Sequence, residues 1–436
     1  MNEVISTPCG EIKGQADGEV VSFKGIRYAT AQRWTYPEEV TEWQGTYDAA
    51  RYGNCSYQPR AFYNEEDNPG KIFYYNEFRK GESYTYDEDC LFLNIWTPTD
   101  ADEGSKLPVL VYIHGGGFTG GCGHEKHFDG PVWAKKGVVA VTVNYRLGPM
   151  GFVCLPELSE EAGHTGNYGL YDQLAAIKWV KRNISAFGGD GEKITVMGQS
   201  AGAMSVQHLC QSDITEGLFR SAVMSSGVGM GSFMTATPEK SGAFWKEVME
   251  KTGAKTLDEF RKVSPEELFK AWKSTKGGMM ATAPVLDGLL IRKGAKPKNI
   301  PYMVGSTSHD IAPAVLHKMT QKWARNNGAY LWHFSRNLPG DDKGAWHSSD
   351  LWYWFGTLSN CWRPMEERDY TLSDEMSTCL CNFVKNGKPD GEGLPEWKKC
   401  TDGKSVMCFG DEGTAMGKVN MKKLIVTTLT NKPVGE

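Results

Sequence analysis

Gly198-Gln199-Ser200-Ala201-Gly202 sets one serine between two glycines in the spacing G-x-S-x-G, which occurs once in the chain. A serine so placed can attack an ester carbonyl if a tight turn presents its hydroxyl and a neighbouring base takes its proton. Glycines two residues to either side leave room for that turn. Ile194 to Met197 is an apolar, largely β-branched run, and Ala203 to Cys210 reads as helix. The serine therefore falls where a strand turns into a helix, at a helix N-terminus whose N–H groups favour developing negative charge. With 50 glycines in the chain, the five letters alone also describe an ordinary Gly/Ser turn. The reading stands only if other residues supply a base, an acid and an oxyanion hole.

In a strand–turn–helix site of this kind the partners follow in the order serine, acid, histidine, each just past a strand end. Nine histidines are available, and the order removes those before Ser200. His208 lies two turns along the helix after the serine, His317 is mid-helix, and His333 is inside an apolar strand. His309 and His347 remain. His347, in Gly344-Ala-Trp-His-Ser-Ser-Asp-Leu351, follows the last strand expected and is the better base. Asp310 is the one carboxylate in Ser306-Thr-Ser-His-Asp310, although it could equally cap the next helix. Asp341, Asp342 and Asp350 come too late in the order, and Asp287 reads as a turn. For the oxyanion, the N–H of Ala201 and the glycine run Gly115-Gly-Gly117 are the donors at hand.

These residues need a scaffold that delivers strand ends to one edge. Leu107 to Ile113 and Gly137 to Tyr145 are continuous apolar runs, as expected of strands buried on both faces. Cys90–Trp96, Ser221–Ser226, Ile300–Gly305 and Ala329–Phe334 read as further strands. Helical spacing marks Asn167 to Phe187, 311–326 and Thr371 to Lys385. The alternation predicts an α/β domain over 1–436, with a mostly parallel central sheet and helices on both faces. Glu11 to Tyr28 is expected as a small antiparallel meander, and Gln32 to Tyr86 as mainly loop. Thr237-Pro-Glu-Lys and Ser264-Pro-Glu-Glu are helix starts, and about 236–280 is expected as a helical cap within the domain.

Composition excludes other classes. A net charge of −5 gives no basic field for nucleic acid. No apolar run approaches the ~18 residues of a membrane span. Met1 to Thr7 has neither a basic nor an apolar signal segment, and eleven cysteines without a CxxC pair suit reduced thiols, so a cytoplasmic location is expected. No metal or other cofactor is expected; Cys379 and Cys381 point to different faces of their helix.

The chain closely resembles the type-B carboxylesterase family of α/β-hydrolases. The resemblance rests on Gly25-Ile-Arg-Tyr-Ala29, Glu88-Asp-Cys-Leu-Phe-Leu-Asn-Ile-Trp96, His114-Gly-Gly-Gly-Phe118, Asn144-Tyr-Arg-Leu-Gly148, Gly166 to Gln173, Asn183 to Asp190, the serine pentad, and Gly344 to His347. It implies the α/β-hydrolase fold and esterase activity with Ser200, Asp310 and His347 as the triad. It also implies Gly116, Gly117 and Ala201 as the oxyanion hole. Four departures stand out. Asp310 replaces the usual Glu. Gln199 replaces the usual Glu before the serine, which argues against cationic esters. The acid-to-base spacing is short. Cys55 and Cys90 resemble two cysteines that secreted members bridge.

The expected activity is hydrolysis of neutral carboxylic esters, with a small-molecule ester as substrate, no nucleic acid and no membrane span. Phe118, Gln199, Trp346 and Trp352 are expected to touch the substrate. Trp346, Trp352, Tyr353, Trp354 and Phe355 crowd the base; facing the pocket they would favour aromatic or phenolic esters, and otherwise they are core. The alternatives are a non-catalytic esterase-like binding protein, or a thioesterase or lactonase on the same fold.

Overall fold

A computed structural model describes residues 1–277 and 282–430. Eleven strands form its main sheet: β1 Gln15–Asp17, β2 Val20–Arg27, β3 Phe92–Pro98, β4 Leu107–Ile113, β5 Val139–Val143, β6 Gly189–Gln199, β7 Ser221–Ser225, β8 Tyr302–Thr307, β9 Tyr330–Phe334, β10 Val406–Gly410 and β11 Gly413–Gly417. Their spatial order is β11-β10-β9-β8-β7-β6-β4-β5-β3-β2-β1. From β5 through β10 neighbouring strands are parallel. Antiparallel strands close both edges. Val139–Val143 is buried at every position, because helices cover both faces and leave a parallel sheet no wet side.

One core cluster lies on each face of the sheet. Val111, Val141, Val196, Trp179 and Ile177 belong to the first, with the helix Tyr168–Asn183 packed on it. Tyr112, Trp133, Trp346, Trp352 and Trp354 belong to the second, under the helix Glu367–Asn386. Because β4 sits between β5 and β6, the chain leaves β4 toward one side of the sheet and leaves β6 toward the other. A ligand crevice opens at the carboxyl ends of two such strands. β4 ends at the glycine run, and β6 ends at Ser200.

Several expectations change. Of the expected meander Glu11 to Tyr28, Gln15–Asp17 and Val20–Arg27 pair antiparallel within the main sheet, while Glu11–Lys13 belongs to a separate hairpin of Val4–Thr7 with Gly10–Lys13. A helix, Ile72–Phe78, interrupts the long loop. Ala329–Phe334 is not the last strand: β10 pairs beside it, β11 turns back, and the helix Met421–Thr430 follows. Val406–Gly410 is a short apolar run whose partner lies more than 70 residues upstream, so no local pattern announces it.

The helices Pro238–Lys251 and Pro265–Ser274 start as expected, each with proline in the first turn and a side-chain oxygen from Thr237 or Ser264 accepting the backbone N–H three residues on. With Leu257–Lys262 they build a separate apolar cluster of Trp245, Val248, Phe260, Leu268 and Trp272 on Trp34, Leu155 and Tyr168. Residues 278–280 of the expected cap lie outside the described residues.

Candidate active site

Ser200 sits between β6 and the helix Ala201–Gln211 with φ 56° and ψ −124°, a backbone state that costs a non-glycine residue of order 1–3 kcal/mol. Two hydrogen bonds hold it there. Its N–H donates to Ser225 O at 2.9 Å, and its carbonyl accepts the Met204 N–H at 3.0 Å. The flanking glycines are required: a Cβ on Gly198 would stand 2.3 Å from Gly202 O, and one on Gly202 would stand 2.1 Å from Ile113 O. Ser226, just past the end of β7, and Phe118, after the glycine run, also have positive φ.

The glycine run lies against the same serine. A Cβ on Gly115 would come within 3.0 Å of Ser200 Cβ, and one on Gly116 would stand 2.0 Å from Gly120 O. Thr119 and Gly120 both donate to Gly116 O, which curls the loop so that its amides stay unused. Among the described residues the N–H groups of Gly116 and Gly117 have no acceptor, and Ala201, at the first helical position, has none either.

Asp310 and His347 meet beside this loop. His347 Nδ1 is 2.5 Å from Asp310 Oδ1. Asp310 accepts three further bonds: Ile311 N–H at 2.8 Å on Oδ1, and Ser226 Oγ–H at 2.6 Å and Thr307 N–H at 3.1 Å on Oδ2. The carboxyl is 1% exposed. Burial works to raise its pKa, but the imidazole and these donors outweigh burial and hold it below the usual carboxylate value. A parallel β-bridge between His309 and Trp346, with His309 N–H donating to Ala345 O at 3.0 Å, ties the acid loop to the base loop.

The His347 side chain keeps 12% exposure, enough to offer Nε2 to the crevice. Among the described residues Nε2 meets the Gln199 amide nitrogen at 3.2 Å rather than the Ser200 hydroxyl. For Nε2 to accept from that amide, the ring proton must be on Nδ1, facing Asp310. Gln199 thus selects the tautomer with the proton on Nδ1, while occupying the Nε2 lone pair. Gln199→Glu replaces this donor by a carboxylate, which favours the protonated imidazole. The acid limb of the kcat/KM profile for an ester then moves to higher pH. An unmoved limb would show that the residue does not reach the ring.

The expected substrate-touching residues divide. Phe118 is buried in a cluster with Ala201, Met204, Leu290 and Ile291, next to the serine helix. Gln199 touches His347. Trp346 and Trp352 do not form a pocket wall: both are fully buried, in ring contacts with Phe78, Phe73 and His127. Indole carries more apolar surface than any other side chain, and here the sheet face and the helix Glu367–Asn386 enclose it. Two further polar residues join the site. Ser226 braces Asp310. Asp350, set aside by chain order, is fully buried beneath, accepting from Ser225 Oγ at 2.8 Å and Trp354 Nε1 at 3.1 Å. Burial, with Asp310 nearby, pushes its carboxyl up to about 6. Its place three residues after His347 was the only sequence signal.

A strained serine at the switch point of a mostly parallel sheet, with glycine amides beside it and a buried Asp–His pair across from it, defines the α/β-hydrolase architecture. A model of the Carboxylesterase family matches residues 1–322 and 313–424, and the chain belongs to that family.

Among its relatives, the fumonisin B1 esterase of Sphingopyxis macrogoltabida is 35% identical over 355 residues, which cover 78% of this chain and 61% of that protein. The para-nitrobenzyl esterase of Bacillus subtilis (strain 168) is 36% identical over 306 residues, covering 69% of this chain and 58% of that one. The chain thus spans about three fifths of the length of these curated relatives. Among solved structures, an esterase from anaerobic Clostridium hathewayi, described as able to hydrolyze aliphatic aromatic polyesters, superposes with a TM-score of 0.82 at 25% identity and 98% coverage of both chains. A Geobacillus stearothermophilus carboxylesterase superposes at 0.80 with 27% identity, over 98% of this chain and 100% of that one. No helix among the described residues is long and apolar enough to cross a membrane.

Proposed function

We propose that this protein hydrolyses neutral carboxylic esters through an acyl-enzyme on Ser200. The observation that carries this reading is His347, held by Asp310 at Nδ1 and turned with Nε2 toward the serine turn. His347 takes the Ser200 proton as the hydroxyl attacks the carbonyl, and later gives it to the leaving alcohol. Asp310 keeps the proton on Nδ1 and stabilises the imidazolium. The amides of Gly116, Gly117 and Ala201 receive the oxyanion, and each such donor is typically worth ~10²–10³ in kcat. Water then repeats the sequence on the acyl-enzyme.

Family membership and the filled triad positions support catalysis over a non-catalytic binding role. We read the cytoplasm as its place of action, supported by eleven cysteines that all stay unpaired. The test is turnover of p-nitrophenyl butyrate together with labelling by a fluorophosphonate, which needs the activated serine. Active protein labelled on the peptide that holds Ser200 is the expected result. Absence of both turnover and label would end the esterase reading.

With the tryptophans in the core, the apolar cluster that includes Ala201 and Met204 of the serine helix also holds Phe118, Leu290 and Ile291, with the partly buried Met230 and Met234 packed against it. Flexible methionine and aliphatic chains accept an unbranched acyl group readily. p-Nitrophenyl butyrate is therefore expected to give a higher kcat/KM than hydroxycinnamate esters, and the reverse order would return an aromatic wall to the pocket.

A further inference from the structure

Behind the glycine loop lies a cluster of soft ligand atoms that the ester chemistry does not use. Cys55 begins the two-residue strand Cys55–Ser56, and Cys122 and His124 follow the glycine loop directly. One ligand atom from each falls within 4.8 Å of the others. Cys55 Sγ is 3.6 Å from His124 Nε2. A sulfur and a nitrogen on one tetrahedral zinc ion, at ~2.3 and ~2.0–2.1 Å from it, stand about 3.6 Å apart.

The surroundings fit a cation. Cys55 and Cys122 are 0% and 1% exposed. Tyr52 stacks on the His124 ring at 4.6 Å and 9°, and Tyr84 packs at 5.6 Å, which fixes the ring plane with Nε2 toward the sulfur. The nearest acid, Glu125, is already answered by Arg60 at 2.5 Å and Arg79 at 3.4 Å. A second guanidinium nitrogen of Arg60 lies 3.8 Å from Cys122 Sγ. Two thiolates would thus carry more negative charge than their neighbours offset, and a divalent ion would neutralise it.

We propose that Cys55, Cys122 and His124 bind one thiophilic divalent cation, zinc by preference, with a fourth tetrahedral position left to solvent. Two sulfurs and an imidazole exclude magnesium and calcium, which take oxygen ligands. The ion clips the 55–58 segment to the glycine loop. Gln58 makes the same connection, accepting the Gly121 N–H at 2.9 Å and donating to Gly121 O at 3.0 Å. In this arrangement Cys55 partners the glycine loop rather than Cys90; both are free thiols.

The test is cobalt binding to reduced, chelator-stripped full-length protein. The expected result is one Co²⁺ per chain, with a thiolate-to-cobalt charge-transfer band in the near ultraviolet and strong tetrahedral ligand-field bands in the visible, both abolished by added Zn²⁺. Cys122→Ser and, on the more exposed side of the cluster, His124→Gln each weaken binding by more than ~100-fold, beyond what loss of an outer partner does. Cys361→Ser, a thiol elsewhere, leaves it unchanged. No band in a large excess of Co²⁺, a band equal in all variants, or a Cys55–Cys122 disulfide that persists in the purified protein would each overturn the proposal. The spectra need no ester turnover, so Ser200→Ala protein serves equally well and the two readings fail separately.

Discussion

Ser200→Ala abolishes nearly all turnover of p-nitrophenyl butyrate, lowering kcat by about 10⁵–10⁶, the scale on which loss of a triad nucleophile is felt. KM changes little, because the acyl pocket and the glycine amides remain. A residue of about 10³–10⁴ over water persists, since the oxyanion donors and bound geometry act without the nucleophile. The substitution also removes only one oxygen from a turn whose strain lies in the backbone, with φ 56° at this residue. The melting temperature is therefore expected to stay close to wild type, and a collapsed fold would disqualify the measurement. Turnover equal to wild type would move the nucleophile elsewhere.

Asp310→Asn is the second large effect, a loss of about 10⁴ in kcat with KM nearly unchanged. Four donors converge on this carboxylate: His347 Nδ1–H and Ile311 N–H on one oxygen, Ser226 Oγ–H and Thr307 N–H on the other. An amide has one acceptor oxygen where the carboxylate has two. If its NH₂ faces His347, the imidazole must present a lone pair at Nδ1, and its proton moves to Nε2. The base is then blocked at the atom that should accept the serine proton. If its NH₂ faces Ser226, that hydroxyl can rotate to accept, but the Thr307 N–H loses its acceptor in a buried site. Kinetics and the imidazole nitrogen shifts in NMR separate the two outcomes. Near-normal kcat would reassign the acid, with Asp350 the next carboxyl to test.

The strand-to-helix turn at Ser200 was legible because two signals coincide there: glycines at the required offsets, and a change from strand to helix periodicity. The placing of Asp310 and His347 at strand ends, and their meeting, was legible through strand-end order, a rule of topology that does not depend on which residues surround them. The aromatic run 352–355 was not, because tryptophan serves a core and a pocket equally well and the sequence does not state which face it meets. Gln199 was read as a substrate contact because position along the chain does not give the direction of a long amide side chain. Ser226 and Asp350 brace the site from below through buried hydrogen bonds that no spacing encodes. Cys55 lies 67 residues before Cys122, so three-dimensional proximity alone joins them. The edge hairpin 406–417 depends on a distant partner strand, whereas the central strands carry their burial in their own composition.

The bridge between His309 and Trp346 has a bearing on how this chain can be recombined. Asp310 and His347 stand 37 residues apart in the chain, and one isolated backbone bridge joins their loops. Tyr302 through His347 thus holds a strand, its helix, a second strand and the two bridged loops that carry Asp310 and His347, while Ser226, which donates to Asp310, lies outside it. Chimeras with longer relatives that cut outside this segment carry the pair across intact. A crossover between Asp310 and His347 sets one parent's aspartate against the other's histidine across the bridge of His309 and Trp346.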